Sequence, residues 1–193
     1  MRKDYHSAFY PEQPAPERHG YYSPRGIALA HDLTSGPLPK EYGRCDVLYT
    51  DPPWRSGYDE FALRAGVLVP SYHDFMDALV DAIPPGIPAV VVTGLHAAMH
   101  FGTEYRPFRV RLNEHEAIAY SRGVDVPEGM TAEQLGRTLA DRYQCVGDPC
   151  CGYGNTARWF VQAGKRFVVS DINPRCIGYI AEHEKGWANV LPK

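Results

Sequence analysis

Cys145-Val146-Gly147-Asp148-Pro149-Cys150-Cys151-Gly152-Tyr153-Gly154-Asn155 is the stretch whose reading decides the fold. Cys145 to Asp148 is a short strand, and Asn155 to Ala163 has the pattern of a helix. Between them, Gly152 and Gly154 let the backbone approach a ligand closely. Phe167 to Asp171 is the next strand, ending in an acid about seventeen residues beyond Gly154. That spacing suits a carboxylate that takes a ribose hydroxyl pair. A dinucleotide loop would carry a third glycine, but Ala157 stands three residues after Gly154. Asp148 would also repel a pyrophosphate, so an adenosyl ligand without phosphates fits better; the bland alternative is a plain tight turn.

The same alternation continues upstream. Gly26 to Asp32, Cys45 to Thr50 and Ile87 to Thr93 read as strands, the last with the fully apolar run Ala89-Val90-Val91-Val92 of a strand buried on both faces. Ser71-Tyr72-His73-Asp74 opens a helix that Pro84-Pro85-Gly86 stops. Residues 95–101 read as a short helix, and Phe108 to Asn113 with Ala117 to Tyr120 as a strand pair. Thr131-Ala132-Glu133-Gln134 is a capping box opening a helix through about Tyr143, and Asn173-Pro174 caps a last helix through about His183. Strands alternating with helices predict an α/β fold, a mainly parallel central sheet with helices on both faces. Residues 1–25, with Tyr5, Tyr10, Pro11, Pro14, Pro16, Tyr21, Tyr22 and Pro24, read as an irregular arm: a surface-hugging tail or a lid. Residues 26–193 form the main domain.

Asp51-Pro52-Pro53-Trp54 follows directly on the strand that ends at Thr50. Two prolines fix φ and present a carboxylate and a carbonyl oxygen side by side, next to a large π-face. A planar amino group can be held there by both N–H bonds while its ring stacks on Trp54. A structural Pro-Pro turn with an N-capping Asp51 is the plain alternative.

The pairing of D-P-P-W with D-P-x-x-G-x-G resembles the S-adenosylmethionine-dependent amino methyltransferases of nucleobases. With the catalytic motif first and the cofactor motif last, the order is similar to their circularly permuted β-type, and the likeness spans about residues 26–183. The resemblance implies a Rossmann-like methyltransferase fold. Asp51 and the Pro52 carbonyl would accept from the target amine, Pro53 would stiffen the loop, and Trp54 would stack on the base. Asp148, Gly152 and Gly154, with Pro149, Cys150 and Asn155 beside them, would line the methionine part of the cofactor. Asp171, with Asn173, would hold the ribose hydroxyls, and Asp32 the adenine amine. Cys150-Cys151 departs from the apolar or aromatic residue that usually follows D-P in this family. Asp at the first catalytic position and Trp at the fourth resemble adenine N6 enzymes more than cytosine N4 ones. The activity so implied is adenine N6 methylation of DNA, with RNA methylation or a non-catalytic nucleic-acid-binding module as alternatives.

Composition narrows the setting. The 193 residues carry 20 Lys+Arg and 23 Asp+Glu, a formal charge of −3, which disfavours non-specific coating of nucleic acid. The total hides a polarity: Lys40 to Val90 holds four basic and eight acidic residues, Arg142 to Cys176 five basic and two acidic. Five cysteines form neither a disulfide framework nor a zinc motif, and the eight histidines show no metal-ligand spacing. No apolar run approaches membrane-spanning length, and no signal-peptide pattern follows Met1. A cytoplasmic protein, small enough for a phage or mobile-element enzyme, is expected, with a homodimer left open. About residues 95–143 leave room only for a minimal target-recognition insertion. Arg106, Arg109, Arg111 and Arg122 in it are candidate backbone contacts, or else solvated strand edges.

Overall fold

Eight strands and five α-helices alternate along the chain in the computed structural model, which describes residues 15–55, 57–66, 70–112 and 115–188. The strands are β1 (Gly20–Tyr22), β2 (Gly26–Ala30), β3 (Val47–Thr50), β4 (Ala89–Thr93), β5 (Arg106–Leu112), β6 (His115–Arg122), β7 (Cys145–Asp148) and β8 (Arg166–Asp171). The helices are α1 (Tyr58–Ala65), α2 (Tyr72–Ala82), α3 (Ala132–Arg142), α4 (Asn155–Gln162) and α5 (Pro174–Trp187). All strands join one sheet in the order β1-β2-β8-β7-β3-β4-β6-β5. The middle five are mutually parallel, while β1 on one side and β6 on the other run antiparallel to their neighbours.

The apolar pattern explains the layering. Every residue of β3, β4 and β7 is buried, as strands covered on both faces require. Val47 and Tyr49 turn to a core filled by Leu135 and Leu139 of α3, Phe160 of α4, and Ile177 and Ile180 of α5. Leu48 turns to the other core, with Phe75, Met76 and Leu79 of α2. Three helix starts follow from local side-chain chemistry. The Ser71 hydroxyl accepts from the Asp74 N–H, Thr131 and Gln134 close a capping box, and Asn173 caps α5 with Pro174 in its first turn.

Several elements differ from the sequence reading. The arm is not irregular throughout: Gly20–Tyr22 forms β1 and pairs with β2. The arm's Tyr5, Tyr10, Pro11 and Pro14 lie outside the described residues, as does Asn113, the expected end of β5. Helix α1 was not anticipated. Its Tyr58 is buried, while Phe61 and Leu63 are exposed. The short helix read over 95–101 is present, as a 3-10 helix from Leu95 to His100. The edge strand β5 is not bare: the Arg111 N–H donates to the Met130 carbonyl at 2.8 Å and the Gly129 N–H to the Arg109 carbonyl at 2.9 Å.

The topology also sets where a ligand can bind. From β3 the chain crosses through α1 and α2 on one face to β4; from β7 it crosses through α4 on the other face to β8. The two crossovers diverge between the adjacent strands β3 and β7. This is a topological switch point, and the crevice outside the carboxyl ends of the strands lies there.

Candidate active site

The loops leaving β3 and β7 are the two halves of the sequence signal, and they open on this crevice. Beyond the fully buried Thr50, Asp51 is partly buried and Pro52 buried. The Trp54 indole N–H donates to Asp51 Oδ1 at 3.2 Å. The Trp54 ring rests over Gly94, just past β4, where an added Cβ would stand 3.6 Å from the ring. Donation of the Gly57 N–H to the Trp54 carbonyl at 2.8 Å then turns the chain into α1.

On the β7 side Asp148 is 2% exposed and accepts from the Cys150 N–H at 3.1 Å. Gly152 has φ +49° and Gly154 φ +81°, a left-handed backbone that other residues rarely adopt. Gly154 is constrained twice, because a Cβ there would come within 2.9 Å of Ile180 and Trp187 of α5. The loop is tied to β8 by the Cys151 N–H on the Ser170 carbonyl at 2.9 Å. At the end of β8, Asp171 Oδ2 accepts from the Gly152 N–H and Oδ1 from the Asn173 N–H, each at 2.9 Å.

Three carboxylates therefore meet at the ends of β3, β7 and β8, and each is pushed above its ordinary range. Burial lifts Asp51 to about 7; the Trp54 N–H opposes and the Asp148 charge adds. Burial lifts Asp148 to about 6, against hydrogen bonds from the Thr156 hydroxyl and the Cys150 N–H, and with the Asp171 charge adding to the rise. Burial also raises Asp171, against its bonds from Asn173 and Gly152. The arrangement disfavours a phosphate and favours a cation.

The remaining expected site residues divide. Asp32 lies next to the β8 end, since the His31 N–H donates to the Asp171 carbonyl at 3.0 Å. Its Oδ1 accepts from the Thr34 N–H at 2.8 Å and the Thr34 hydroxyl at 2.7 Å. Pro149 is buried and Cys150 partly exposed in the loop, where Asp148, Asp171 and Asp51 act on the Cys150 thiol. Asn155, the first residue of α4, is exposed and its Oδ1 accepts from Arg158 at 3.0 Å. Asn173 Oδ1 is taken by the Arg175 N–H, which makes it a helix cap whose own N–H holds Asp171.

Sequence reading missed a second group. Among the described residues, His31 Nε2, the Tyr58 hydroxyl and Thr93 Oγ1 are buried without a hydrogen-bond partner. They sit just after β2, at the start of α1 and at the end of β4, on the rim of the same crevice. Buried polar groups are nearly always satisfied, so these three atoms are free to take partners from a ligand. No local pattern announces them, because each depends on which strands are neighbours. Among the described residues no group of three or more His, Cys, Asp and Glu could hold a metal ion. Among them, too, no helix is long and apolar enough to cross a membrane.

Neither a protein-family model nor a curated protein matches the chain. Solved structures do. A Thermus thermophilus protein, assigned by name as a DNA modification methylase, is similar at a TM-score of 0.51 and 16% identity, over 83% of this chain and 91% of that one. M1.HpyAVI, solved as its complex with SAM, is similar at a TM-score of 0.52 and 10% identity, over 86% of this chain and all of that one. At such identities the likeness is one of fold. The chain has the Rossmann-like methyltransferase fold, a single mixed eight-stranded sheet with helices on both faces.

Proposed function

We propose that this protein transfers a methyl group from S-adenosylmethionine to the exocyclic amine of a nucleobase, adenine N6 in DNA. The observation that carries the reading is the placement of the Asp51-Pro52-Pro53-Trp54 loop and the Gly152/Gly154 loop on adjacent strands at the switch point. The residues fit the cofactor: a carboxylate-rich crevice with orphaned polar atoms on its rim suits a cationic adenosyl ligand without phosphates. The DNA methylation named for the Thermus thermophilus neighbour and the SAM held by M1.HpyAVI support it. Asp51 and Trp54 favour adenine over cytosine.

When bound, S-adenosylmethionine supplies an electrophilic methyl group on a sulfonium. An aromatic amine is a poor nucleophile because its lone pair is delocalised into the ring. Asp51 and the Pro52 carbonyl accept its two N–H bonds, favour a pyramidal nitrogen and so free the lone pair. Trp54 holds the base plane, and in duplex DNA the base must first leave the stack to reach it. A carboxyl near 7 is also placed to accept the proton that the nitrogen sheds. Positioning and electrostatics supply the rate, with no covalent enzyme intermediate. Asp148 and the glycines shape the methionine end, while Asp171 and Asp32 take the ribose and adenine.

Nucleoside mass spectrometry of DNA and RNA from cells expressing the protein tests the reading. N6-methyldeoxyadenosine in DNA is expected. N4-methylcytosine would overturn the base, methylation confined to RNA the polymer, and no modified nucleoside the activity.

The raised carboxyls add a pH dependence. Asp51 and Asp148 hold protons in the folded protein up to about 7 and 6, above the 3.8 of a free aspartate. Their contribution to stability is therefore full below the unfolded value and lost as pH rises through 6–7. Ionised, the same groups attract a sulfonium. S-adenosylmethionine should raise Tm more at about pH 8 than at about pH 5.5, and the neutral thioether product should show a smaller difference. Equal pH dependence for the two ligands in a thermal-shift titration would remove these carboxylates from the cation site.

A further inference from the structure

The segment between β4 and α3 holds one projecting feature, the β5–β6 hairpin, and its register gives it a direction. Thr93, the last residue of β4, pairs with Ile118, yet β6 begins three residues earlier, at His115. On β5, Arg109 pairs with Ile118, Arg111 with Glu116 and Leu112 with His115. The hairpin thus overhangs the end of β4 by three residues, roughly 10 Å at strand rise. It overhangs on the side where Gly94, next after Thr93, supports Trp54. The base pocket and the hairpin share one strand end.

Register also sorts the four candidate arginines. Arg122 pairs with Ala89 at the far end of β4. Its Nη2 donates to the carbonyls of Pro84 at 2.6 Å and Ile87 at 3.2 Å, and its guanidinium lies 5.1 Å from the Tyr105 ring centroid. That side chain is structural. Arg106, opposite Ser121, is exposed at the same far end. Arg109 and Arg111 stand level with and beyond Thr93, and both are exposed. Strand alternation puts them on one face, opposite the buried Val110. Among the described residues neither guanidinium has a carboxylate within ion-pair distance; the neighbouring Glu128 accepts from the Arg109 backbone N–H instead.

We propose that the overhanging β5–β6 hairpin clamps the phosphodiester backbone beside the target base, with Arg109 and Arg111 as its contacts. The inference rests on the DNA reading of the site and deepens it. In a chain without a separate reading unit among its described residues, two guanidinium forks on the edge strand, level with and beyond the end of β4, would hold the flanking strand while the base turns in. Such contacts position the duplex and carry no sequence information, so binding is salt-sensitive.

The test measures fluorescence anisotropy of a labelled duplex oligodeoxynucleotide with the full chain at about 50–300 mM salt. Calorimetry with S-adenosylmethionine is run beside it as a check of folding. The Arg109→Ala/Arg111→Ala double variant should bind DNA about tenfold or more weakly at about 100 mM salt, with the slope of log K against log salt reduced by about 2. Its cofactor affinity should stay within about twofold, as neither residue lines the crevice. Arg109→Lys/Arg111→Lys should keep most of the slope, and Arg106→Ala all of it. An unchanged slope in the double alanine variant, with wild-type protein binding DNA, overturns the clamp and leaves the catalytic reading standing. Wild-type protein that binds cofactor but no DNA overturns the DNA reading and the clamp with it.

Discussion

Asp51→Ala should lower kcat for methyl transfer by about a thousandfold or more while S-adenosylmethionine affinity changes less than about threefold. Asp51 Oδ1 already accepts from the Trp54 indole N–H at 3.2 Å, which leaves Oδ2 for the target amine and aligns the carboxylate with the stacking surface. Alanine removes the acceptor and frees the indole, so amine activation and base orientation fail together. Loss of folding is not the cause expected. Burial lifts this carboxyl to about 7, so the charge is poorly accommodated, and its removal should leave Tm at about pH 8 unchanged or higher. Asp51→Asn separates the two roles. The amide can still accept from Trp54, but its NH2 would face the amine's N–H, so Asn should be nearly as inactive as Ala. Single-turnover transfer from labelled cofactor reads this directly. An Asn variant with more than about a tenth of wild-type rate would show that Asp51 orients Trp54 and does not take the amine's protons.

What could be read from the sequence was whatever local chemistry dictates. Ser71, Thr131 and Asn173 cap helices through their own side chains, and Asp51, Asp148 and Asp171 close strands, so the positions of all six follow from neighbours a few residues away. Features that depend on a distant partner were not legible. β1 has only three residues and exists because β2 offers an edge to Gly20–Tyr22. α1 is anchored through Tyr58, which packs against Tyr72 and Phe75 of α2, a contact between elements that no local pattern discloses. For the glycine loop, the sequence showed only part of the backbone reason. Gly154 needs its left-handed φ, but it also has Ile180 and Trp187 too close for a Cβ, which only the packing of α5 discloses. The local partners of Asn155 and Asn173, Arg158 and the Arg175 N–H, likewise emerge only from the fold. The four arginines looked alike in sequence, and only strand register divides them.

Asp171→Ala should cost both stability and cofactor binding, and its two effects can be measured apart. The carboxylate joins three elements. It ends β8, takes the Gly152 N–H of the glycine loop, and takes the Asn173 N–H that starts α5. Removing it leaves two backbone N–H groups without their acceptor, at about 1–3 kcal/mol each where water does not replace it. A total of about 2–6 kcal/mol would lower Tm by roughly 5–20 °C in a chain of this size. Binding should suffer more, because hydrogen bonds to a charged acceptor contribute about 1.5–3 kcal/mol each. With the ribose hydroxyls unheld and Gly152 released, S-adenosylmethionine affinity should fall by about a hundredfold or more. Calorimetry well below the variant's own Tm isolates that loss from unfolding. A variant that melts early yet binds cofactor as wild type would make Asp171 a strut for the loop and the α5 cap, and would move the ribose contact elsewhere. Retained stability with lost binding would mean that water satisfies Gly152 and Asn173, leaving Asp171 as a pure ligand contact.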